Sequence, residues 1–180
     1  MLLRGVMLEA FKIPSASMLP TLQVGDYLLV NKLRYGIRVP GSRRWLVRFG
    51  VPEPGDVIVF SDPKNVALSY VKRVIAVEGE VVEIRDKQVL VNGQPRDVPA
   101  AYFAQRAHVQ PDTRRDNLGP IVVPRGRVFV MGDNRDHSYD SRFRGFVKSI
   151  DVEGEALLVY WSADGDEGSV RWDRIGKIIP

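Results

Sequence analysis

The chain has 180 residues, with 26 Lys and Arg against 22 Asp and Glu, for a formal net charge of +4. That length suits one ordinary domain with a real core, and the mild positive balance does not by itself argue for a nucleic-acid partner. Cysteine is absent and only His108 and His137 are present. Thiol catalysis and cysteine metal sites are therefore excluded, and little remains for a histidine metal site or a Ser-His-Asp triad.

From the start of the chain, Leu2, Leu3, Val6, Met7, Ala10 and Phe11 fall on one face of a short helix over residues 1–12. No cleavage region follows it, so it does not read as a signal peptide. No apolar run approaches the ~20 residues that span a bilayer, so the segment is expected either to pack on the core or to be the end of a membrane anchor that this chain lacks. Next comes Ile13 to Leu22, where Pro14 and Pro20 restrict the backbone around Ser17. A fixed serine with a second hydroxyl two positions away, at Ser15, suits acyl transfer: one hydroxyl attacks, while a second donor and a backbone N–H hold the oxyanion. Taken alone, the segment is more simply a Ser/Pro-rich turn.

Strands are expected at Tyr27 to Val30, Val57 to Phe60, Tyr70 to Val77, Val81 to Ile84, Gln88 to Val91, Val128 to Met131 and Ala156 to Trp161. Many are bounded by turn formers such as Val24-Gly25-Asp26, Pro54-Gly55-Asp56 and Asn92-Gly93. Such spacing indicates an all-β domain of antiparallel sheets, barrel-like, over residues 1–180. Two stretches break the rhythm. Residues 34–54 carry Arg34, Arg38, Arg43, Arg44 and Arg48 around Trp45 and Phe49. They read as a solvated basic loop, or as a contact for anionic lipid headgroups. Residues 97–120 read as a small surface insertion, with a short helix around Ala100 to Ala107.

Within the third strand, Lys72 shares a face with Tyr70, Val74 and Ala76, while Arg73 shares the other with Val71, Ile75 and Val77. Both faces are largely apolar, so a cation is aimed into low dielectric. Arginine cannot usefully deprotonate, but lysine can. To act as a base near neutral pH, a lysine must fall from ~10.4 to roughly 7–8, which burial can supply. The plainer alternative is a lysine at a sheet edge with its amine in water. After the strand ending at Met131, residues 132–145 pack charges and hydroxyls into one loop. Asp133, Asp140, Arg142 and Arg144 can pair there into a rigid network, with Ser138 or Ser141 placed to orient a lysine amine.

Taken in order, Ser15-Ala16-Ser17-Met18-Leu19-Pro20-Thr21-Leu22, Tyr70-Val71-Lys72-Arg73-Val74 and Gly132 through Arg142 resemble the three signature segments of bacterial type I signal peptidases. The resemblance covers most of the chain. It implies coiled antiparallel sheets with a membrane-facing apolar surface. It implies Ser17 as nucleophile and Lys72 as general base, with an oxyanion hole from the Ser17 N–H and the Ser15 hydroxyl. Ser138 would orient Lys72, and Asp133, Asp140 and Arg142 would be structural support. Ile13, Pro14, Met18, Leu22, Tyr70 and Val71 would line shallow apolar pockets for the small residues of an A-x-A-like cleavage site. The implied activity is removal of signal peptides from exported preproteins through an acyl-enzyme, without a cofactor, a metal or nucleic acid. Its partners would be preprotein signal peptides and a phospholipid surface, on the extracytoplasmic face of the bacterial plasma membrane. Two departures from the family are expected. Residues 1–12 would be only a membrane-proximal segment with no transmembrane anchor, and the family's extra β-subdomain is mostly missing before the third segment. Three other readings stand beside this one: a self-cleaving Ser–Lys protease of the SOS-repressor type, a hydrolase using His137, and a non-enzymatic lipid-binding β module.

Overall fold

The computed structural model describes residues 8–39, 42, 44–63, 65, 68–98, 100–103, 113–164 and 168–180. Runs rich in β-branched and aromatic residues form its strands. In chain order these are β1 (Leu8–Lys12), β2 (Asp26–Asn31), β3 (Gly36–Arg38), β4 (Trp45–Arg48), β5 (Val57–Ser61), β6 (Ser69–Val77) and β7 (Val81–Arg85). There follow β8 (Gln88–Val91), β9 (Gln94–Pro95), β10 (Leu118–Val122), β11 (Arg127–Met131), β12 (Val147–Lys148) and β13 (Val152–Ser162). Two single-turn helices, α1 (Thr113–Asp116) and α2 (Ser141–Arg144), sit in connections.

A seven-stranded sheet runs in the order β1-β2-β13-β5-β6-β11-β12, a four-stranded sheet in the order β10-β7-β8-β9, and β3 pairs with β4 alone. Every ladder between these strands is antiparallel. The all-β, antiparallel expectation holds. The sheets stay open, however: the large one ends at β1 and β12 and does not close into a barrel. The Asn92-Gly93 turn between β8 and β9 has both residues at positive φ, 53° and 76°, the geometry that joins twisted strands in two residues.

Three expectations are corrected. Residues 8–12 are not the end of a helix but strand β1, with alternating burial and Glu9 paired to Val30. The edge of β2 offers that segment a full ladder, and this outweighs the helical spacing. That spacing counted Leu2 to Met7, which lie outside the described residues. The 97–120 stretch is only partly an excursion, since Leu118–Val122 is β10 and pairs with β7. Of the helix expected over Ala100 to Ala107, Tyr102 instead forms a bridge with Asn134; Ala104 to Ala107, like His108, lie outside the described residues. The basic loop of 34–54 contains the β3–β4 hairpin, with Arg43 again outside the described residues.

The core divides around β5. Val57 and Val59 point into one cluster with Ile13, Met18, Leu22, Leu28, Val30, Ala156 and Val159. Ile58 and Phe60 point into another with Tyr35, Val74, Val128, Val130 and Val152. A strand buried on both faces explains the unbroken apolar run Val57 to Phe60. A third cluster, built on Ile75, Val82, Ile84, Val89, Phe129 and Met131, joins the two larger sheets. Full burial of a Val, Leu, Ile, Phe or Met side chain stabilises the fold by about 1.5–3 kcal/mol, and these clusters hold β6, the strand on which the site is built, between β5 and β11.

Candidate active site

Ser17 sits in a one-turn 3-10 helix, Ala16–Met18, that follows β1. Its downstream neighbour Met18 is fully buried in the first core cluster, and the Leu22 N–H donates to the Met18 carbonyl at 2.9 Å. The turn is therefore held from inside by an apolar anchor. It is held from outside by the loop after β11. There the Asn134 N–H donates to the Ser17 carbonyl at 3.1 Å, and Asn134 Nδ2 donates to the Ala16 carbonyl at 3.0 Å. Arg174 secures the far end of the segment, donating to the Thr21 carbonyl at 3.0 Å and to Asp26 Oδ2 at 2.6 Å. Burial acts to raise the pKa of Asp26, but the bonds from Arg174, Gln23 and Ser162 outweigh it and hold the carboxyl below its ordinary value.

Lys72 enters from β6. Its Nζ lies 2.7 Å from Ser17 Oγ and 2.9 Å from the Val71 carbonyl. The residue is only 4 % exposed. Burial pushes its pKa down to about 8; Asp140 and Asp133 pull it up, and Arg144 pushes it further down. Both bonded neighbours of the amine are uncharged, so nothing in direct contact holds the proton on it. Ser15 Oγ lies 3.3 Å from Ser17 Oγ, with either hydroxyl able to donate. Ser17, Lys72 and Ser15 are thus brought together as the sequence suggested, across 55 residues of chain in the case of the first two.

Ser138 departs from its expected contact. It is buried, yet its hydroxyl has no hydrogen-bond partner, and Lys72 is oriented by its own strand's Val71 carbonyl instead. The serine is nonetheless in the site. A Cβ placed on Gly132 would lie 2.3 Å from Ser138 Oγ and 2.3 Å from the Ser17 carbonyl oxygen. Only glycine lets the nucleophile turn and the Ser138 side chain approach one backbone from two sides.

Two buried ion pairs brace this loop. Arg73 meets Asp133 through two bonds of 2.8 Å, and Thr21 Oγ1 donates to the same carboxylate at 2.6 Å. Arg142 meets Asp140 through two bonds of 2.9 Å, and Asp140 also accepts from the Gly132 N–H at 3.0 Å. Asp133, Asp140 and Arg142 are each joined in this way to the nucleophile turn or to Gly132. Arg73 had been placed on an apolar face; its carboxylate partner is supplied 60 residues away. Arg144 instead turns outward, pairing with Asp62 at 2.5 Å and lying 4.2 Å over the Tyr70 ring.

The six apolar residues expected at the substrate pockets divide. Ile13, Met18 and Leu22 pack inside the first core cluster, with at most 3 % exposure, so they present almost no surface to a ligand. Pro14 is exposed, and Tyr70 and Val71 are half-buried beside Lys72. Their neighbours Leu28 and Val59 draw the first three inward, since the same side chains must close the core. Asn134, Gly132 and Asp62 were not foreseen. Asn134 and Gly132 lie within the third signature segment, but only the folded contact shows what they touch. His137 is exposed, and the Ser17 hydroxyl is engaged by Lys72 rather than by an imidazole.

Comparison with known proteins gives a consistent result. The model of the family described as "Signal peptidase, peptidase S26" matches residues 1–161. Signal peptidase I of Pseudomonas fluorescens is 36 % identical over 192 residues, covering 90 % of this chain and 68 % of that protein. Signal peptidase I of Leptolyngbya laminosa is 37 % identical over 187 residues, covering 99 % and 76 %. A crystal structure of a signal peptidase I from Enterococcus faecalis V583 aligns with a TM-score of 0.47 and 34 % identity, covering 59 % of this chain and 97 % of that one.

Proposed function

Because the chain belongs to the signal peptidase family, peptidase S26, and is thus a serine peptidase that removes signal peptides, we propose that it does so with a Ser17–Lys72 dyad and a covalent acyl-enzyme. The observation that carries this reading is the 2.7 Å contact between Ser17 Oγ and a buried amine whose pKa lies near 8. In its neutral form Lys72 takes the Ser17 hydroxyl proton as Oγ attacks the scissile carbonyl carbon. The Ser17 N–H and the Ser15 hydroxyl hold the developing oxyanion. As the tetrahedral centre collapses, the C–N bond breaks and the Lys72 ammonium returns the proton to the departing amine. A water then loses a proton to Lys72, attacks the ester carbon and releases the signal peptide, restoring the Ser17 hydroxyl. Asn134, Asp133, Asp140 and Arg142 position the turn and the loop around it.

The substrates are N-terminal signal peptides of exported preproteins, cut after small residues that fit beside Pro14, Tyr70 and Val71. The enzyme works at the phospholipid surface on the extracytoplasmic face of the bacterial plasma membrane. Trp172 and Ile178 are largely exposed, with Trp161 edge-on to Trp172 at 6.2 Å. Trp161 pairs with Tyr27 near the start of β2, the strand that follows the Ser17 turn, and such exposed tryptophans suit a membrane–water interface. Among the described residues no helix is long and apolar enough to cross a membrane.

The test is cleavage of a preprotein by purified Ser17→Ala and Lys72→Ala variants. Loss of a positioned base is expected to slow the reaction about 10²–10⁴-fold, with the far-UV spectrum and melting transition retained. Undiminished cleavage by Lys72→Ala overturns the dyad.

A further inference from the structure

The proton that Lys72 gives to the departing amine fixes where the first residue of the mature chain must lie. That amine has to come within hydrogen-bond reach of Nζ, about 2.6–3.2 Å. A cavity of about 500 Å³ is lined by Lys72 and Tyr70 and runs past Tyr139 and Arg144 to Arg127 and Lys148. A second cavity of about 300 Å³ shares Arg127 and Lys148, adds Arg48 and Arg125, and has no carboxylate in its lining. The strand register sets the length of the path. Lys72 lies near the middle of β6, and Val77, at the end of that strand, pairs with Val128, the neighbour of Arg127. Five residues at ~3.3 Å each make the run roughly 16 Å, about five residues of extended peptide.

The charges along it are unequal in their freedom. The acids of the first cavity are already engaged: Asp62 by Arg144 and Asp140 by Arg142, with Asp151 buried and also bonded. At the far end Arg127 and Lys148 stand directly opposite each other on β11 and β12. Like charges so placed destabilise a sheet, and among the described residues neither is paired with a carboxylate. The far end of the groove is therefore a basic wall short of its counter-charge.

We propose that this groove binds the leaving side of the substrate, and that Arg127 and Lys148 favour an acidic side chain at about the fourth to sixth residue after the scissile bond. The proposal rests on Lys72 serving as the base, since that places the departing amine at the groove's mouth. A lysine or arginine in the same window meets two like charges and is disfavoured.

The experiment uses the whole chain and a set of preprotein peptides with one cleavage site. Glu or Lys is placed singly at each of the first eight mature positions in an otherwise Ala- and Gln-containing tail. Glu over Lys is expected to change kcat/KM about three- to tenfold at positions four to six, and less at positions one and two. The preference is expected to shrink as salt rises. In the double variant Arg127→Glu, Lys148→Glu it is expected to invert. Equal cleavage of the Glu and Lys peptides overturns the groove assignment and leaves the dyad standing. No cleavage of any peptide overturns both. A double variant that keeps the peptide preference but loses binding to vesicles of phosphatidylglycerol assigns the basic wall to lipid headgroups, and overturns the proposal.

Discussion

Lys72 and Arg73 are neighbours on β6 and equally buried, at 4 % exposure each, yet the two sides of the strand treat their charges in opposite ways. On one side Arg73 receives two bonds' worth of carboxylate from Asp133 and also donates to the carbonyls of Gly55 and Pro180 at 2.8 and 2.6 Å. On the other, Lys72 touches a hydroxyl and a carbonyl, both neutral. An arginine cannot shed its proton, so burying it demands a counter-charge. A lysine can, so burial without a counter-charge turns it toward the free amine. The carboxylates that could have held the Lys72 proton are present nearby, but Asp133 and Asp140 are each committed to an arginine. Pairing, rather than depth, separates a structural cation from one able to act as a base.

The sharpest way to break this contrast is to take the counter-charge from Arg73. Asp133→Ala leaves a guanidinium buried without its partner and deprives Thr21 of its acceptor. The expected cost is about 3–5 kcal/mol of unfolding free energy, read from the shift of a urea melt. A loss below about 1 kcal/mol would mean that the carboxylate does not hold Arg73 in place, and the contrast collapses.

On the other side of β6 the sign reverses. The folded pKa of Lys72, near 8, lies below its unfolded value of ~10.4. Between those values the unfolded chain binds more protons, so stability rises with pH across roughly 8 to 10.4. Below about pH 8 the lysine is charged in both states, and its burial costs about 3 kcal/mol. Lys72→Met removes that cost. At pH 7 the variant is expected to be more stable than the parent by up to about 3 kcal/mol, while it no longer cleaves. Melts at pH 7 and pH 10 check both statements: the gap between parent and variant should narrow at the higher pH. A variant less stable than the parent at pH 7 would show that the amine is not held against its preference.

That opposition was half legible in the sequence. Strands such as Val57 to Phe60 and Tyr70 to Val77 announce themselves because β-branched runs have few other homes. The alternation of β6 put Lys72 and Arg73 on opposite faces without any coordinates. The segment 8–12 departs from its helical spacing because its fate is set by pairing with Tyr27 to Asn31, a contact that local spacing does not encode. For the same reason nothing near Arg73 in the chain points to Asp133, or near Arg144 to Asp62. A salt bridge across 60 or 82 residues is decided by register and by a bulge between Phe129 and Val130. Ser138 was placed in the right loop but given a partner it does not have, because a hydroxyl's direction depends on the backbone of Gly132 beside it.

The finest test of the contrast lies at Arg144, the one nearby cation that adds to burial in lowering the Lys72 pKa. Arg144 is partly exposed and already paired with Asp62, so its influence is screened and modest. Arg144→Gln is expected to raise the Lys72 pKa by less than one unit, moving the rising limb of kcat/KM from near pH 8 to higher pH. At pH 7 the rate then falls by less than about tenfold, because a smaller fraction of Lys72 is neutral. Above pH 10, where the amine is free in both enzymes, the two rates should converge. Arg144→Lys keeps the charge and should keep the limb in place. A loss of equal size at every pH would make Arg144 a packing residue. The low pKa of Lys72 would then rest on burial and on the absence of a carboxylate in contact with it, the condition that Arg73 does not share.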